Sequence, residues 1–356
     1  MEKDMDSFQM CIKAINKRLG DKESKSIFQN RLMYSITDDY SYMANILFSL
    51  ECCKWLISEI ERCSKYFDTN QIWIFGAGAW GSRIYDIISK CVKVKGFIDN
   101  DEGKYTILGK KIYRLEDILS GGGNGIYVIA TKFYQDIEKQ LQDNNIHNER
   151  IISFGRRWSE TVRKQYFDKE IVCEGSDEEE VFIDCGCYNG GTVDAFVEWS
   201  YGKYNKIIAF EPDERMYFEC KNYVEKRYNN AVVINGAVGA HNGEVRFNNT
   251  SSVELGSSRV DYISGNCVTK MYSIDEVLDG EKATFIKMDI EGSELEALRG
   301  VEKTIKKYKP ILAICVYHKR EDIWEIADYI LSLHKDYTLY FRHYSLIHTE
   351  TVLYAK

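Results

Sequence analysis

Residues 181–212 read VFIDCGCYNGGTVDAFVEWSYGKYNKIIAFEP. The apolar run Val181-Phe182-Ile183 predicts a short buried strand that ends on Asp184. Gly186, Gly190 and Gly191 crowd the turn that follows, and a helical pattern covers residues 193–199. A second apolar run, Ile207-Ile208-Ala209-Phe210, ends on Glu211. Strand, glycine turn, helix, strand and acid, in that order, is how an open α/β sheet builds a nucleoside site. Glycines let backbone turn sharply and come close to a ligand. The carboxylate at the tip of the second strand is placed to accept hydrogen bonds from both ribose hydroxyls. The plainer alternative is a βαβ unit whose glycines serve packing alone. Against it stands a second strand-end cluster of acids, Asp289-Ile290-Glu291, further along the chain.

The glycine spacing separates two kinds of site. A dinucleotide fold calls for G-x-G-x-x-G after the strand. Here the pattern is D-x-G-x-x-x-G, with Glu211 lying 21 residues after Gly190. That resembles the first two motifs of class I S-adenosylmethionine-dependent methyltransferases, in which one looser glycine loop suffices because no pyrophosphate is bound. The resemblance makes Asp184, Gly186, Gly190, Thr192 and Glu211 the expected cofactor contacts. A third apolar strand, Val232 to Asn235, runs into Gly236-Ala237. In a methyltransferase sheet that loop lies against the adenine, so Asn235, Gly236 and Ala237 join the set.

Downstream, Phe285-Ile-Lys287-Met288 predicts a fourth strand that delivers Asp289 and Glu291 to the carboxyl edge of the sheet, the ligand edge of such folds. Ser293 and Glu296 have the spacing of a capping box, which accounts for Glu294 and Glu296 as acids at a helix start. Residues 310–316 form a fifth strand with His318 at its end. If the fourth and fifth strands are neighbours, Asp289 and His318 face one cleft. Alternation at 244–248 and 267–272 predicts a β-hairpin insertion, with 248–265 between as a substrate loop or as unstructured chain. Residues 339–344 and 350–354 alternate as two antiparallel edge strands.

Taken together, Asp184-Cys-Gly186, Ala209-Phe-Glu211-Pro212, Phe285-Ile-Lys-Met-Asp289-Ile-Glu291-Gly-Ser-Glu294 and Val316-Tyr-His318 resemble the FkbM-type methyltransferases from residue 181 onward. The resemblance implies a class I methyltransferase-type doubly wound α/β sheet with an antiparallel edge strand. It also implies S-adenosyl-L-methionine as cofactor and methylation of a hydroxyl on a carbohydrate or natural-product acceptor. An alcohol needs a base to accept its proton. His318 is the expected base, with Asp289 orienting it or serving in its place, and Glu291 beside them; Asp289 is also an expected cofactor contact. No metal is assigned; Asp289, Glu291 and His318 holding a divalent ion is the alternative.

The first half lies outside that resemblance. Residues 1–67 carry apolar residues at a 3–4 spacing, from Met43 through Ile60, and predict a helical segment. It would be either a collar on the next domain or a dimerisation element, which leaves a homo-oligomer open. Residues 71–99 then hold a strand, Gly76-Ala-Gly78-Ala-Trp-Gly81, a helix, and a second strand ending on Asp99, 23 residues after Gly76. This is a dinucleotide fingerprint in spacing and context. Gly76, Gly78, Gly81 and Asp99 therefore mark a second nucleotide site, unless the glycines only pack helix on strand. The predicted organisation is a helical segment to 67, a small Rossmann-like domain over 68–155, a linker over 156–180 that includes the acidic run 174–180, and the methyltransferase domain over 181–356.

Composition excludes several classes. The net charge of −8 argues against a nucleic-acid surface. With two isolated prolines, Pro212 and Pro310, the proline-rich loop of base amino-methylating enzymes has no counterpart. No apolar run reaches the roughly 20 residues of a membrane span, and the start Met1-Glu-Lys-Asp is not a signal peptide. The 11 cysteines form no zinc-ribbon pattern, so reduced thiols and a cytoplasmic location are expected. Two rival functions remain: an NAD- or nucleotide-sugar-binding enzyme run by the GAGAWG domain, and a non-catalytic binding protein.

Overall fold

Four helices open the chain, α1 (Glu2–Arg18), α2 (Lys22–Thr37), α3 (Ser41–Ser49) and α4 (Glu51–Cys63), but they do not form one segment. The computed structural model describes residues 2–67, 71–172, 179–248, 259–260 and 267–356. Its contacts divide the chain into two units. One holds Met1–Asp38, Lys164–Tyr344 and His348–Lys356; the other holds Asp39–Arg163 and Ser345–Ile347. The break between α2 and α3 has a local cause. Asp38 is the C-cap of α2 in the left-handed conformation, and its N–H bonds back to the Tyr34 carbonyl. The expected 1–67 segment is thus divided between the two units.

The smaller unit alternates strand and helix. Its strands are β1 (Ile72–Phe75), β2 (Val94–Ile98), β3 (Thr106–Ile107), β4 (Lys110–Tyr113), β5 (Ile126–Ile129) and β6 (Ile151–Ile152). They form one sheet in the order β3-β4-β2-β1-β5-β6, parallel except for the β3–β4 pair. Helix α5 (Ala79–Ile88) follows the glycine turn. It can lie tight on β1 because a Cβ at Gly81 would sit 1.8 Å from the Gly76 carbonyl oxygen. Helices α6 (Leu115–Ser120), α7 (Tyr134–Asp143) and α8 (Phe154–Val162) complete the unit. The expected linker over 156–180 is therefore ordered for much of its length: α8 packs with α7 and β5, and Tyr166, Phe167, Ile171 and Val172 enter the core of the larger unit. The acidic run 174–180 lies mostly outside the described residues.

The larger unit holds β7 (Glu180–Cys185), α9 (Gly191–Trp199), β8 (Tyr204–Glu211), α10 (Glu214–Arg227) and β9 (Ala231–Asn235). A small sheet follows, of β10 (Ala237–Val238), β11 (Gly243–Asn248), β12 (Arg259–Val260) and β13 (Cys267–Tyr272), with β11 and β13 antiparallel as the alternation predicted. The expected loop between them lies almost wholly outside the described residues. Then come α11 (Ile274–Leu278), β14 (Phe285–Met288), α12 (Glu294–Arg299), α13 (Glu302–Tyr308), β15 (Ile311–Cys315), α14 (Asp322–Leu333), β16 (Leu339–His343) and β17 (Thr351–Ala355). The main sheet runs β16-β17-β15-β14-β7-β8-β9. β7, β8, β9, β14 and β15 pair in parallel, and β17 is antiparallel to both its neighbours. Strands buried on both faces read as continuous apolar runs, which is why β7, β14 and β15 were legible. The chain leaves β7 toward β8 on one side, while β14 pairs on the other. The crevice opens at the carboxyl end of β7, the switch point of the sheet.

Candidate functional site

Two glycines shape the turn after β7. Gly186 has φ +85°, and a Cβ there would fall 2.1 Å from the Asp289 carbonyl oxygen. Gly190 has φ +89°, caps α9, and a Cβ there would press on Val224 of α10 at 2.9 Å. Any side chain at either position would push the loop off the sheet. From below, the fully buried Lys287 ties the loop down. Its Nζ donates to the carbonyls of Gly186 (2.7 Å) and Cys185 (3.3 Å) and lies 3.1 Å from Asp184 Oδ1. Burial alone would push the ammonium toward neutrality, but the charges of Asp184 and Asp289 keep it protonated. Asp184 is itself wholly enclosed. The expected ligand contact by Asp184 is thus replaced by a supporting one: strand alternation turns its side chain into the core against Lys287.

A cavity of about 250 Å³ opens above this loop. Gly186, Glu211, Gly236, Ala237, Asp289 and Glu291 line it, as do Tyr188, Phe210, Met216, Val238 and Ile290, which were not anticipated as site residues. Gly190 and Thr192 lie outside the lining, and Asn235 acts one step back, donating to the Glu211 carbonyl at 3.0 Å. Glu211 is oriented by the backbone on both sides. Its Oε2 accepts from Tyr188 N and its Oε1 from Asp213 N, each at 2.9 Å. Each oxygen keeps a lone pair for a further donor. Burial raises the carboxyl to about 7, although the two N–H donors favour the charged form. The carboxylate of Glu211 and the apolar side chains of Phe210, Met216, Ala237 and Val238 line the same cavity, a mixture of lining suited to a small polar ligand with an apolar part.

At the other side of the cavity the ends of β14 and β15, which are neighbours, bring Asp289 and His318 together. His318 Nε2 lies 3.6 Å from Asp289 Oδ1 and 3.4 Å from Glu291 Oε2, and its Nδ1 lies 2.9 Å from Glu294 Oε1. Burial would lower the imidazole pKa, but Glu294, Asp289 and Glu291 outweigh it and raise it to about 9. The same three carboxylates favour the charged form of the imidazole, which works against the role of base expected for it. Glu291, pushed up to about 7 chiefly by burial, is better matched. Glu291 also holds a left-handed backbone, φ 56°, uncommon for a residue with a side chain and often a mark of functional turns.

The remaining partners come from distant segments. The Tyr166 hydroxyl donates to Asp289 Oδ2 at 2.8 Å. The Tyr317 hydroxyl lies 3.3 Å from Asp289 Oδ1 and 3.2 Å from Glu350 Oε1, while Gln165 donates to Glu350 at 2.7 Å. The expected capping box is not formed: Ser293 makes no side-chain cap on α12, and Glu296 pairs with Arg299. Glu294 turns inward instead, accepting from Ile290 N at 2.9 Å.

In the smaller unit, Gly76, Gly78 and Asp99 border a cavity of about 650 Å³ with Trp80, Asp101 and Lys104, while Gly81 lies beneath. Asp99 is held as Glu211 is: one oxygen accepts from the glycine turn (Ala77 N, 2.7 Å) and the other from two residues on (Asp101 N, 2.9 Å). Here, however, Lys104 Nζ also takes Asp99 Oδ2 at 3.2 Å, so a ribose would have to share that oxygen.

Counting outward from β7, the main sheet has the strand order of class I S-adenosylmethionine-dependent methyltransferases. Residues 184–345 match the methyltransferase FkbM domain, which lies almost wholly in the larger unit. Residues 68–152 match the C2185-like, N-terminal domain. Among solved structures, methyltransferase FkbM from Methylobacillus flagellatus KT is similar at TM-score 0.48 and 17% identity, over 90% of this chain and 100% of that one. Aeropyrum pernix fibrillarin with natively bound S-adenosyl-L-methionine is similar at TM-score 0.35 and 11% identity, over 56% and 76%. A SAM-dependent methyltransferase from Aquifex aeolicus is similar at TM-score 0.29 and 16% identity, over 56% and 96%. No curated protein matches the sequence. Among the described residues no helix is long and apolar enough to cross a membrane.

Proposed function

We propose that the protein methylates a hydroxyl oxygen of a carbohydrate or natural-product acceptor, using S-adenosyl-L-methionine. The observation that carries this reading is Glu211. Its two oxygens are held in place by backbone donors and face a cavity whose far side is lined by proton-accepting groups. Glu211 would hold the ribose, and Phe210, Met216, Ala237 and Val238 the adenine. The cofactor supplies a methyl group on a cationic sulfur, activated for in-line displacement. The chain's own part is positioning and proton removal. Glu291 takes the proton of the acceptor hydroxyl, while His318, held by three carboxylates, fixes Glu291 and Asp289. Such general-base help is worth roughly 10²–10⁴-fold.

Calorimetry with S-adenosyl-L-methionine and S-adenosyl-L-homocysteine tests the first half of the reading. One site per chain is expected, weakened at least tenfold by Glu211→Ala; unchanged affinity would overturn the ribose assignment. Transfer of labelled methyl into hydroxylated glycans or polyketide alcohols tests the second half. Glu291→Gln should lower turnover at least a hundredfold with cofactor affinity retained.

A further inference from the structure

Asp289, Glu294 and His318 each bring one ligand-type atom within 4.8 Å of the other two. They arrive from three elements: the end of β14, the first residue of α12 and the turn after β15. A cluster of acids on a wet surface would mean little. Here the middle of the cluster is enclosed, and Asp289, 25% exposed, faces the cavity. The Glu294 side chain is 0% exposed and that of His318 8% exposed. Glu294 Oε1 accepts from Ile290 N, but Glu294 Oε2 is buried with no hydrogen-bond partner among the described residues. A buried carboxylate oxygen left without a partner is unfavourable, and native structures rarely keep one without a reason. The charge is also unbalanced. Asp289, Glu291 and Glu294 surround a single imidazole, and Lys287 is committed to Asp184 and the glycine loop.

The spacing suits a small cation. Around a six-coordinate ion at about 2.1 Å, neighbouring ligand atoms lie about 3.0 Å apart and opposite ones about 4.2 Å apart. His318 Nδ1 lies 2.9 Å from Glu294 Oε1, and one ligand atom from each of the three residues lies within 4.8 Å of the others, so side-chain rotation would bring the set to these spacings. Two carboxylates and an imidazole form a mixed oxygen–nitrogen set, suited to first-row divalent ions and magnesium rather than to thiolate-seeking metals.

We propose that Asp289, Glu294 and His318 hold a divalent cation of the Mg²⁺ or Mn²⁺ kind at the floor of the acceptor side of the cavity. Its role, though not its binding, rests on the methyl-transfer reading. An acceptor oxygen that completed the shell would have its O–H acidified. Glu291, outside the ligand set, takes that proton. The freed oxygen lone pair forms the new O–C bond, and the C–S bonding pair remains on sulfur.

The test uses the full chain, stripped with a chelator, desalted, and titrated with Mn²⁺ while free ion is followed by electron paramagnetic resonance. One Mn²⁺ per chain is expected. Glu294→Gln and His318→Ala should each weaken it at least tenfold, with S-adenosyl-L-methionine affinity by calorimetry unchanged as the check on folding; should either variant misfold, Asp289→Asn serves, its folding checked by urea unfolding because Asp289 lines the cavity. Absence of bound Mn²⁺ in the wild-type chain, or binding unaltered in all folded variants, overturns the proposal. Mn²⁺ binding without any cofactor binding would sink the methyl-transfer reading and leave the cation site standing.

Discussion

Glu211 combines two demands that pull against each other. For the proposed role of accepting two ribose hydroxyls it must be ionised, yet burial raises its carboxyl to about 7. A carboxyl whose folded value exceeds its ordinary 4.5 is easier to protonate in the native state than in the unfolded chain. The stability it contributes is therefore complete below about pH 4.5 and lost as pH rises through 7, a difference of roughly 3 kcal/mol. Cofactor affinity should move the other way, falling as pH drops below about 7, by up to tenfold for each further pH unit. Glu211→Gln should unfold at higher urea than the wild type at pH 8 while binding cofactor poorly, a trade of function for stability. Flat affinity between pH 5.5 and 8 would show that Glu211 is ionised throughout. Glu211 was legible because a strand-end acid at that distance from a glycine turn has few other uses. Glu294 was not. In sequence it looks like a helix-start acid, and only the turn of Ser293 away from capping reveals that its carboxylate points inward. Tyr166, Tyr317 and Glu350 were illegible for a simpler reason: Tyr166 and Tyr317 reach Asp289, and Glu350 reaches Tyr317, from three separate stretches, and no local spacing records that meeting.

The turn between β7 and α9 acts as a unit with β14. Gly186 lets it pass over the Asp289 carbonyl, and Lys287 clamps two of its carbonyls from beneath. Gly186→Ala combines a positive φ with a clash against backbone, which cannot rotate away. A loss of about 2–4 kcal/mol is expected, with cofactor binding abolished even where the chain still folds. Urea unfolding and calorimetry on the same sample check both. Lys287→Met leaves Asp184 charged, enclosed and without its cation, and should cost about 3–5 kcal/mol. Adding Asp184→Leu should recover most of that loss; if the double variant is no more stable than Lys287→Met alone, the pair is not what holds the loop. The strands themselves were read well because buried parallel strands are written as unbroken apolar runs. The run 285–288 gives the strand but not the charge that Lys287 meets, since Asp184 comes from the adjacent strand β7.

The least legible feature was where the chain divides. The helical segment expected over residues 1–67 does not show that α1 and α2 belong with β16 and α14, some three hundred residues away, while α3 and α4 belong with the smaller unit. The ties are specific. Phe341 N donates to Ser24 Oγ at 3.1 Å, Arg342 reaches Asp21 Oδ2 at 2.7 Å and Glu23 Oε2 at 3.4 Å, and the Phe28 and Phe341 rings lie 5.3 Å apart. Arg31 donates to the His348 carbonyl at 2.7 Å. These contacts cover an edge strand that would otherwise be open to pairing with another chain. A chain starting at residue 39 would bare that edge and leave Arg342 buried without its two acids. It should unfold at lower urea than the full chain, lose cofactor affinity, and associate in sedimentation at micromolar concentration. Arg342→Ala in the full chain should give a smaller loss, about 2–3 kcal/mol, without association, because the helices still cover the strand. The two variants separate the ion pairs from the cover. If the shortened chain stays monomeric and as stable as the full one, the first 38 residues are ornament to the methyltransferase unit rather than part of its fold.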